Sequence, residues 1–386
     1  MTISNTAVRY HYMDNLRALA MLVGIFFHAA IAYSPIFSQV WLTANSTNSI
    51  VMDFVAWFSH LFRMPLFFLI AGFFTYYMIE KRGIGGQLKN RAIRVLLPFL
   101  IFLPLTLISF AVLIQWAVVN VENLSPILQF VAMMMNSPDA EPPPPSTTHL
   151  WFLYNLVQLY LVYAVLHRIG VTKMAWTSVF GRPLFLVIVL PLLMVPALAS
   201  QSSPYPAPEQ FTPQLWSFGY FSLFFLVGAQ LFKDQSLIDK LRPYTPWLLL
   251  VSIVMYLFVY DDFPATITLQ QALAYQAGPS FSLHHTVIAI LEAFISVHMT
   301  LVCLVAGKTL LDNANKAFRY IADASYWIYI IHLPVLWGIQ FCMLDTDWNL
   351  WIEFLVASFG TLLIGLITYA ILVRYTPIGW MLNGRR

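Results

Sequence analysis

The sequence predicts an all-α fold: a polytopic membrane bundle of about ten transmembrane helices, with both termini on the cytoplasmic side. Three observations lead there. Of the 386 residues, 60% are hydrophobic and only 10% are charged, where a soluble domain carries roughly a quarter charged residues. Apolar runs long enough to cross a hydrocarbon core of ~30 Å recur along the whole chain. The Lys and Arg residues fall on every second connection between those runs, and the other connections have none.

Taken in order, the first run (17–37) follows Arg9 and leads into further spans, which argues against a cleavable signal segment. The second (51–79) is longer than a bilayer needs and contains Pro65, so a tilted or broken helix is expected there, with the break at Pro65. Lys81, Arg82, Lys89, Arg91 and Arg94 follow it. The third (95–119) ends in a long, acidic, Pro-rich connection (120–148), a stiff spacer with no core of its own. Arg168, Lys173 and Arg182 follow the fourth run (149–166). The fifth (183–199) ends in "SQSSPYPAPEQFTPQ" (200–214), again without a basic residue. Lys233, Lys240 and Arg242 follow the sixth (214–232). The seventh (245–260) and eighth (284–306) are separated by a connection without Lys or Arg, and Lys308, Lys316 and Arg319 come after the eighth. The last two (324–344 and 350–373) close the chain, with Arg374, Arg385 and Arg386 at its end.

This segregation is the positive-inside pattern. It accounts for the net charge of +3 as topology and excludes a nucleic-acid face. Cys303 and Cys342 both lie in apolar runs, so neither a disulfide framework nor a zinc knuckle is expected. No internal repeat or shift in composition marks a second unit. A single transmembrane domain over 1–386, without an appended soluble domain, is the expectation.

Only Arg17 and Arg63 among the basic residues lie within the runs. His28 follows Arg17 by eleven residues, which is ~16 Å of rise and three turns plus ~20°, so both side chains share one helix face. Asp14, three residues before Arg17, is placed to pair with it. The second span brings His60 and Arg63 to middle depth, the ninth brings His332 just before Pro334, and the eighth carries Glu292 and His298. Arg63 and Glu292 left unpaired would cost ~5–7 kcal/mol together on an insertion scale, so both must face the bundle interior or a water-filled chamber.

Each of these residues has a bland reading beside the functional one. A lone histidine in a span is more often a hydrogen-bonded packing residue than a catalyst, and Arg63 fits a structural ion pair as well as a functional role. His284 and His285 read as interfacial, since a metal site needs a third ligand. His149 with Trp151 reads as an interfacial anchor. The convergence of several titratable groups at one depth favours a polar chamber. The sequence has no phosphate loop, nucleophile elbow or Cys/His metal spacing. What remains is an imidazole able to act as a general base near neutral pH. On the cytoplasmic side lies the basic loop "KNRAIR" (89–94), which is either topogenic or an anion-binding mouth for a phosphorylated donor.

"YMDNLRALAMLVGIFFHAAIAY" (12–33) resembles the opening of the acyltransferase-3 family of membrane acyltransferases, in which an Arg and a His are separated by ten residues. "FRMPLFFLIAGFF" (62–74), "RAIR" (91–94), "HLWFLYNL" (149–156) and "SYWIYIIHLPV" (325–335) resemble further family segments in family order. In length, span number and termini the chain is most similar to the branch that succinylates osmoregulated periplasmic glucans.

The resemblance implies an acyl-CoA-dependent O-acyltransferase of the bacterial inner membrane. It would move an acyl group, succinyl in that branch, from cytoplasmic acyl-CoA to a hydroxyl of a periplasmic carbohydrate, with no metal. The family's histidine maps to His28, its arginine to Arg17 and its paired loop arginines to Arg91 and Arg94. His28 would act as base or carry the acyl group, and Arg17, Arg91 and Arg94 would hold the donor's phosphates. Arg63 and His332 are further catalytic candidates, and Glu292 is expected to orient a histidine or balance Arg63. Two alternatives stay open: the same chemistry on O-antigen, a peptidoglycan sugar, a lipid or a small metabolite; or a proton-coupled transporter, which also keeps buried ionisable groups but often shows inverted repeats.

Overall fold

A computed structural model describes residues 10–138, 144–274 and 282–384. Each of the ten apolar runs is largely helical, though the first leaves its helix after Ile31, and the described residues form no strand, only one isolated bridge between Ser146 and Gln210. Among the described residues, seven stretches are long and apolar enough to cross a membrane. The longest, Ile50–Asn120, holds both the second and the third run. The fifth and ninth runs fall on helices outside the seven, Phe185–Leu198 and Lys316–Phe341.

Helix α1 (His11–Ile31) rises from the basic end. Helix α2 (Ile50–Arg91) returns and passes through a π turn (Ala92–Leu96) into α3 (Leu97–Asn120). Short α4 (Pro126–Met135) lies in the Pro-rich connection, and α5 (Trp151–Arg168) follows it. Next come α6 (Leu190–Leu198), α7 (Leu215–Lys233), short α8 (Ser236–Leu241), α9 (Thr245–Asp261) and short α10 (Leu269–Ala274). The chain closes with α11 (Leu283–Leu310), α12 (Lys316–Phe341), α13 (Leu350–Thr368) and α14 (Pro377–Asn383).

Helix α2 is central, packed against α1, α5, α7 and α11. Its seam with α7 is built on glycine. A Cβ on Gly72 would stand 1.9 Å from the Phe225 carbonyl oxygen, and one on Gly228 1.8 Å from that of Leu69. Without side chains there, the two backbones touch, the contact that substitutes for hydrophobic drive between helices in lipid. The perimeter reverses the soluble pattern. Ile108 and Val112 on α3, Phe258 on α9, and Phe359 and Leu363 on α13 are all exposed and apolar, as lipid-facing surfaces require.

The expected break at Pro65 is corrected: α2 continues through it and departs from helical geometry at Gly83 instead (φ 68°, ψ 175°). Only glycine adopts that conformation readily. Proline does cost α2 a bond, because without an N–H at position 65 the Leu61 carbonyl loses its helical donor. The bundle supplies a donor in its place: the Tyr205 hydroxyl shares its proton between the His60 and Leu61 carbonyls, at 3.2 and 3.3 Å, and the Tyr220 hydroxyl lies 3.4 Å from Leu61. Pro334 creates the same vacancy at Ile330 in α12, and there Nε2 of His149 donates at 3.0 Å.

Candidate active site

The two proline-orphaned carbonyls lie beside a cavity of about 330 Å³ enclosed by α1, α2, α5, α12 and the connections at the Pro-rich end. His28, His60, Arg63, His149 and His332 all line it. On α1 the lining runs from His28 through Gly24 to Ala20, which is three residues from Arg17.

The histidines differ in what holds them. Nε2 of His60 donates to the Tyr205 carbonyl at 3.2 Å, while the Tyr205 hydroxyl donates back to the His60 carbonyl at 3.2 Å. His149 is tied to α12 twice, through its Nε2 to Ile330 and through its own carbonyl, which accepts from the Tyr329 hydroxyl at 2.7 Å. Nδ1 of His332 donates to the Tyr329 carbonyl at 2.6 Å. That bond fixes the tautomer with the proton on Nδ1 and leaves the Nε2 lone pair free to accept. Among the described residues, His28 has no hydrogen-bond partner for its buried Nδ1. Its ring is positioned by aromatic contact, nearly parallel to Trp41 (13°, 6.2 Å) and 5.2 Å from His332.

Arg63 is buried at 6% exposure and pairs with no carboxylate among the described residues. Its Nε and Nη1 have no hydrogen-bond partner among the described residues. Its guanidinium carbon sits 4.5 Å from the Phe27 ring centre, and Nη1 lies 3.1 Å from where a Cβ on Gly24 would stand. Glycine at 24 therefore lets a cation lie against α1, one turn before His28. A buried, unpaired guanidinium is strongly unfavourable unless it awaits a negative charge.

Glu292 is also buried, but it does not line the cavity or balance Arg63; its Oε1 accepts from the Ser203 hydroxyl at 2.8 Å. It thereby fastens the 200–214 connection, whose Tyr205 holds His60. His298 likewise lies outside the lining, with Nε2 donating to the Val187 carbonyl at 3.0 Å. At the Pro-rich end, His284 pairs with Asp262. No group of three His, Cys, Asp or Glu side chains among the described residues is arranged to hold a metal ion.

Arg17, Arg91 and Arg94 form a second constellation, at the basic end. Arg17 is 3.8 Å from Asp14, the predicted pair. Arg17, Arg82 and Arg91 all lie within Coulombic reach of Arg94. Arg94 sits in the π turn, a widened helical turn of the kind often found at functional sites. Its carbonyl accepts from the Tyr326 hydroxyl at 2.7 Å, and Arg91 lies 5.3 Å over the Tyr160 ring. Nε of Arg17 and of Arg91 are buried without partners among the described residues. Among the described residues its one ion pair is Arg17 with Asp14, so the remaining positive charge suits an anion.

The lining includes residues the sequence did not single out: Trp41, Thr148, Tyr329 and Trp337, with Glu209 at the rim. His149 reads from sequence as interfacial, yet it is 7% exposed and inside. Pro334 was the available signal, because a proline in a span demands a foreign donor for the carbonyl four residues earlier.

A family model described as an acyltransferase domain matches residues 10–370. Glucans biosynthesis protein C of Salmonella paratyphi B is 25% identical over 403 residues, covering 98% of this chain and 96% of that protein. The protein of the same name from Salmonella enteritidis gives the same figures. That from Salmonella heidelberg is 25% identical over 411 residues, with the same coverage. No solved structure matches the chain.

Proposed function

Starting from the acyltransferase family, to which this chain belongs, we propose that it transfers a succinyl group from cytoplasmic acyl-CoA to a hydroxyl of a periplasmic glucan, working in the bacterial inner membrane with both termini cytoplasmic. Multi-pass membrane acyl transfer is the family's business. The donor, the acyl chain, the acceptor and the orientation are the proposal. The relatives' name, glucans biosynthesis protein C, supports the acceptor, and the basic-residue pattern supports the orientation.

The observation that carries the reading is the central cavity, where an untethered imidazole, a tautomer-fixed imidazole and an unpaired guanidinium converge. The donor's phosphates dock at Arg17, Arg91 and Arg94, and its long arm follows α1 towards Ala20, bringing the thioester to His28. The acceptor hydroxyl enters from the Pro-rich end. His28 takes its proton as the oxygen attacks the thioester carbonyl carbon. Arg63 stabilises the oxyanion of the tetrahedral intermediate. The carbon–sulfur bond then breaks, and the thiolate recovers the proton from the imidazolium. His332, 5.2 Å from His28 by ring centres, offers an accepting Nε2 to the incoming hydroxyl or to the His28 imidazolium. Transfer through an acyl-histidine would use the same groups in two steps.

Purified protein in proteoliposomes, given acyl-labelled succinyl-CoA and a neutral glucan, tests the reading. Label moving to glucan supports it. Label remaining on CoA with every acceptor refutes acyl-CoA transfer, and label moving only to lipid or to a small hydroxylated compound replaces the acceptor.

A further inference from the structure

Among the described residues, two indole N–H groups in the cavity wall lack acceptors. Nε1 of Trp41 and of Trp337 are both buried without a hydrogen-bond partner. The rings meet edge to face at 82° and 5.9 Å, and Trp41 also lies parallel to His28. Neither ring is loosely held. The connection carrying Trp41 is pinned by Thr43, which donates to Gln340 at 2.7 Å, and by Ser34, which donates to Asp53. Trp337 packs 4.3 Å from Phe110.

Two more polar groups complete this half of the cavity. Thr148 sits at a positive φ of 50°, a conformation a β-branched residue avoids, and its buried Oγ1 has no partner among the described residues. At the rim, Oε2 of Glu209 accepts from the Ser146 hydroxyl at 2.8 Å. The Glu209 carbonyl accepts from the backbone N–H and the hydroxyl of Thr147, both at 2.8 Å. The segments bearing Thr148 and Glu209 are thus tied together over the opening.

We infer that Trp41, Trp337, Thr148 and Glu209 form the acceptor subsite and that it selects a neutral, hydroxyl-rich ring. This rests on the carbohydrate-acceptor reading above and names the residues that would carry it. Each feature points to the same ligand chemistry. The C–H face of a pyranose covers an indole, its oxygens accept from the two N–H donors, and its hydroxyls donate to the carboxylate. A hydrocarbon chain would leave both N–H groups and the threonine unmet. An anionic ligand would meet the Glu209 charge. A volume of about 330 Å³ admits only the reacting end of an oligosaccharide.

The test uses full-length protein in nanodiscs and radiolabelled neutral glucose oligosaccharides. Trp337→Phe keeps the ring packing and removes one N–H. Loss of one neutral hydrogen bond should raise the acceptor dissociation constant and KM by about 3- to 10-fold, with donor affinity retained. Trp41→Phe should act in the same direction. Glu209→Gln, at an exposed rim position, should raise the preference for uronic-acid over neutral oligosaccharides by about 10-fold. Wild-type acceptor affinity in all three variants overturns the subsite, as does an equal loss of donor affinity. If the wild-type protein transfers acyl groups but does not bind neutral oligosaccharide, both the subsite and the carbohydrate acceptor fall. If it binds oligosaccharide yet never acylates it, the subsite stands and the acyl-transfer reading fails.

Discussion

His149 and Pro334 should be energetically coupled, because the imidazole supplies the donor that the proline withholds. In the native protein, Nε2 of His149 donates at 3.0 Å to the Ile330 carbonyl, and both lie in the buried interior of the bundle. His149→Leu leaves that buried carbonyl without its donor from the protein, at a cost of ~1–3 kcal/mol. Pro334→Ala restores an N–H at position 334, which closes the ordinary helical bond to Ile330. With that bond in place, His149→Leu removes a redundant donor and should cost ~0.5–1 kcal/mol. The expected coupling is therefore ~1–2 kcal/mol, of the sign in which alanine at 334 protects against loss of the histidine. Unfolding of the purified protein in mixed micelles, over the wild type, both single variants and the double variant, measures it. Penalties that add to within ~0.3 kcal/mol would refute the orphan-carbonyl argument and return His149 to a packing role.

Gly228→Ala should open the α2–α7 seam, since its Cβ would stand 1.8 Å from a backbone oxygen that cannot rotate away. Restoring a contact of ~3.5 Å separates the helices by ~1.5 Å at a cost of ~1–3 kcal/mol or more. Thermal melting in detergent checks this against Gly85→Ala, which meets nothing within 4 Å and should melt like the wild type. Arg63→Gln should lower acyl transfer ~10²- to 10³-fold, the loss expected for an oxyanion partner, with little change in donor KM. Its membrane abundance should hold, because the substitution removes a charge that has no carboxylate partner. Arg91→Ala or Arg94→Ala should instead raise the donor KM ~10- to 150-fold, as expected from losing a charge-assisted phosphate contact. An unchanged donor constant would leave both arginines as topological signals only.

Much of this architecture is legible in the sequence because helical period and hydropathy are local. The common face of Arg17 and His28 follows from eleven residues of spacing, and the convergence of His28, Arg63 and His332 follows from counting rises in from each end of three spans. What local reasoning misses is carried by residues remote in sequence. The sequence points to a break in α2 at Pro65, but the partners that keep the helix intact there, Tyr205 and Tyr220, lie in a loop and in another helix. Trp41 and Glu209 reach the cavity from connections without periodicity, so nothing local marks them as lining. Glu292 has the composition of an ion-pair partner for Arg63, yet it is spent on Ser203. The glycines of the α2–α7 seam reveal their purpose only when the two helices are seen together.

The central claim is that His28 accepts the proton in acyl transfer, and the rate of the His28→Gln protein tests it most directly. Glutamine keeps hydrogen-bonding capacity at that position but cannot take up a proton at neutral pH. With wild-type membrane abundance and donor binding, transfer to the acceptor should fall ~10²- to 10⁴-fold, as far as in His28→Ala. A His28→Gln protein that transfers at near-native rate would contradict the assignment and shift the base to Nε2 of His332, the neighbouring imidazole whose lone pair is already fixed.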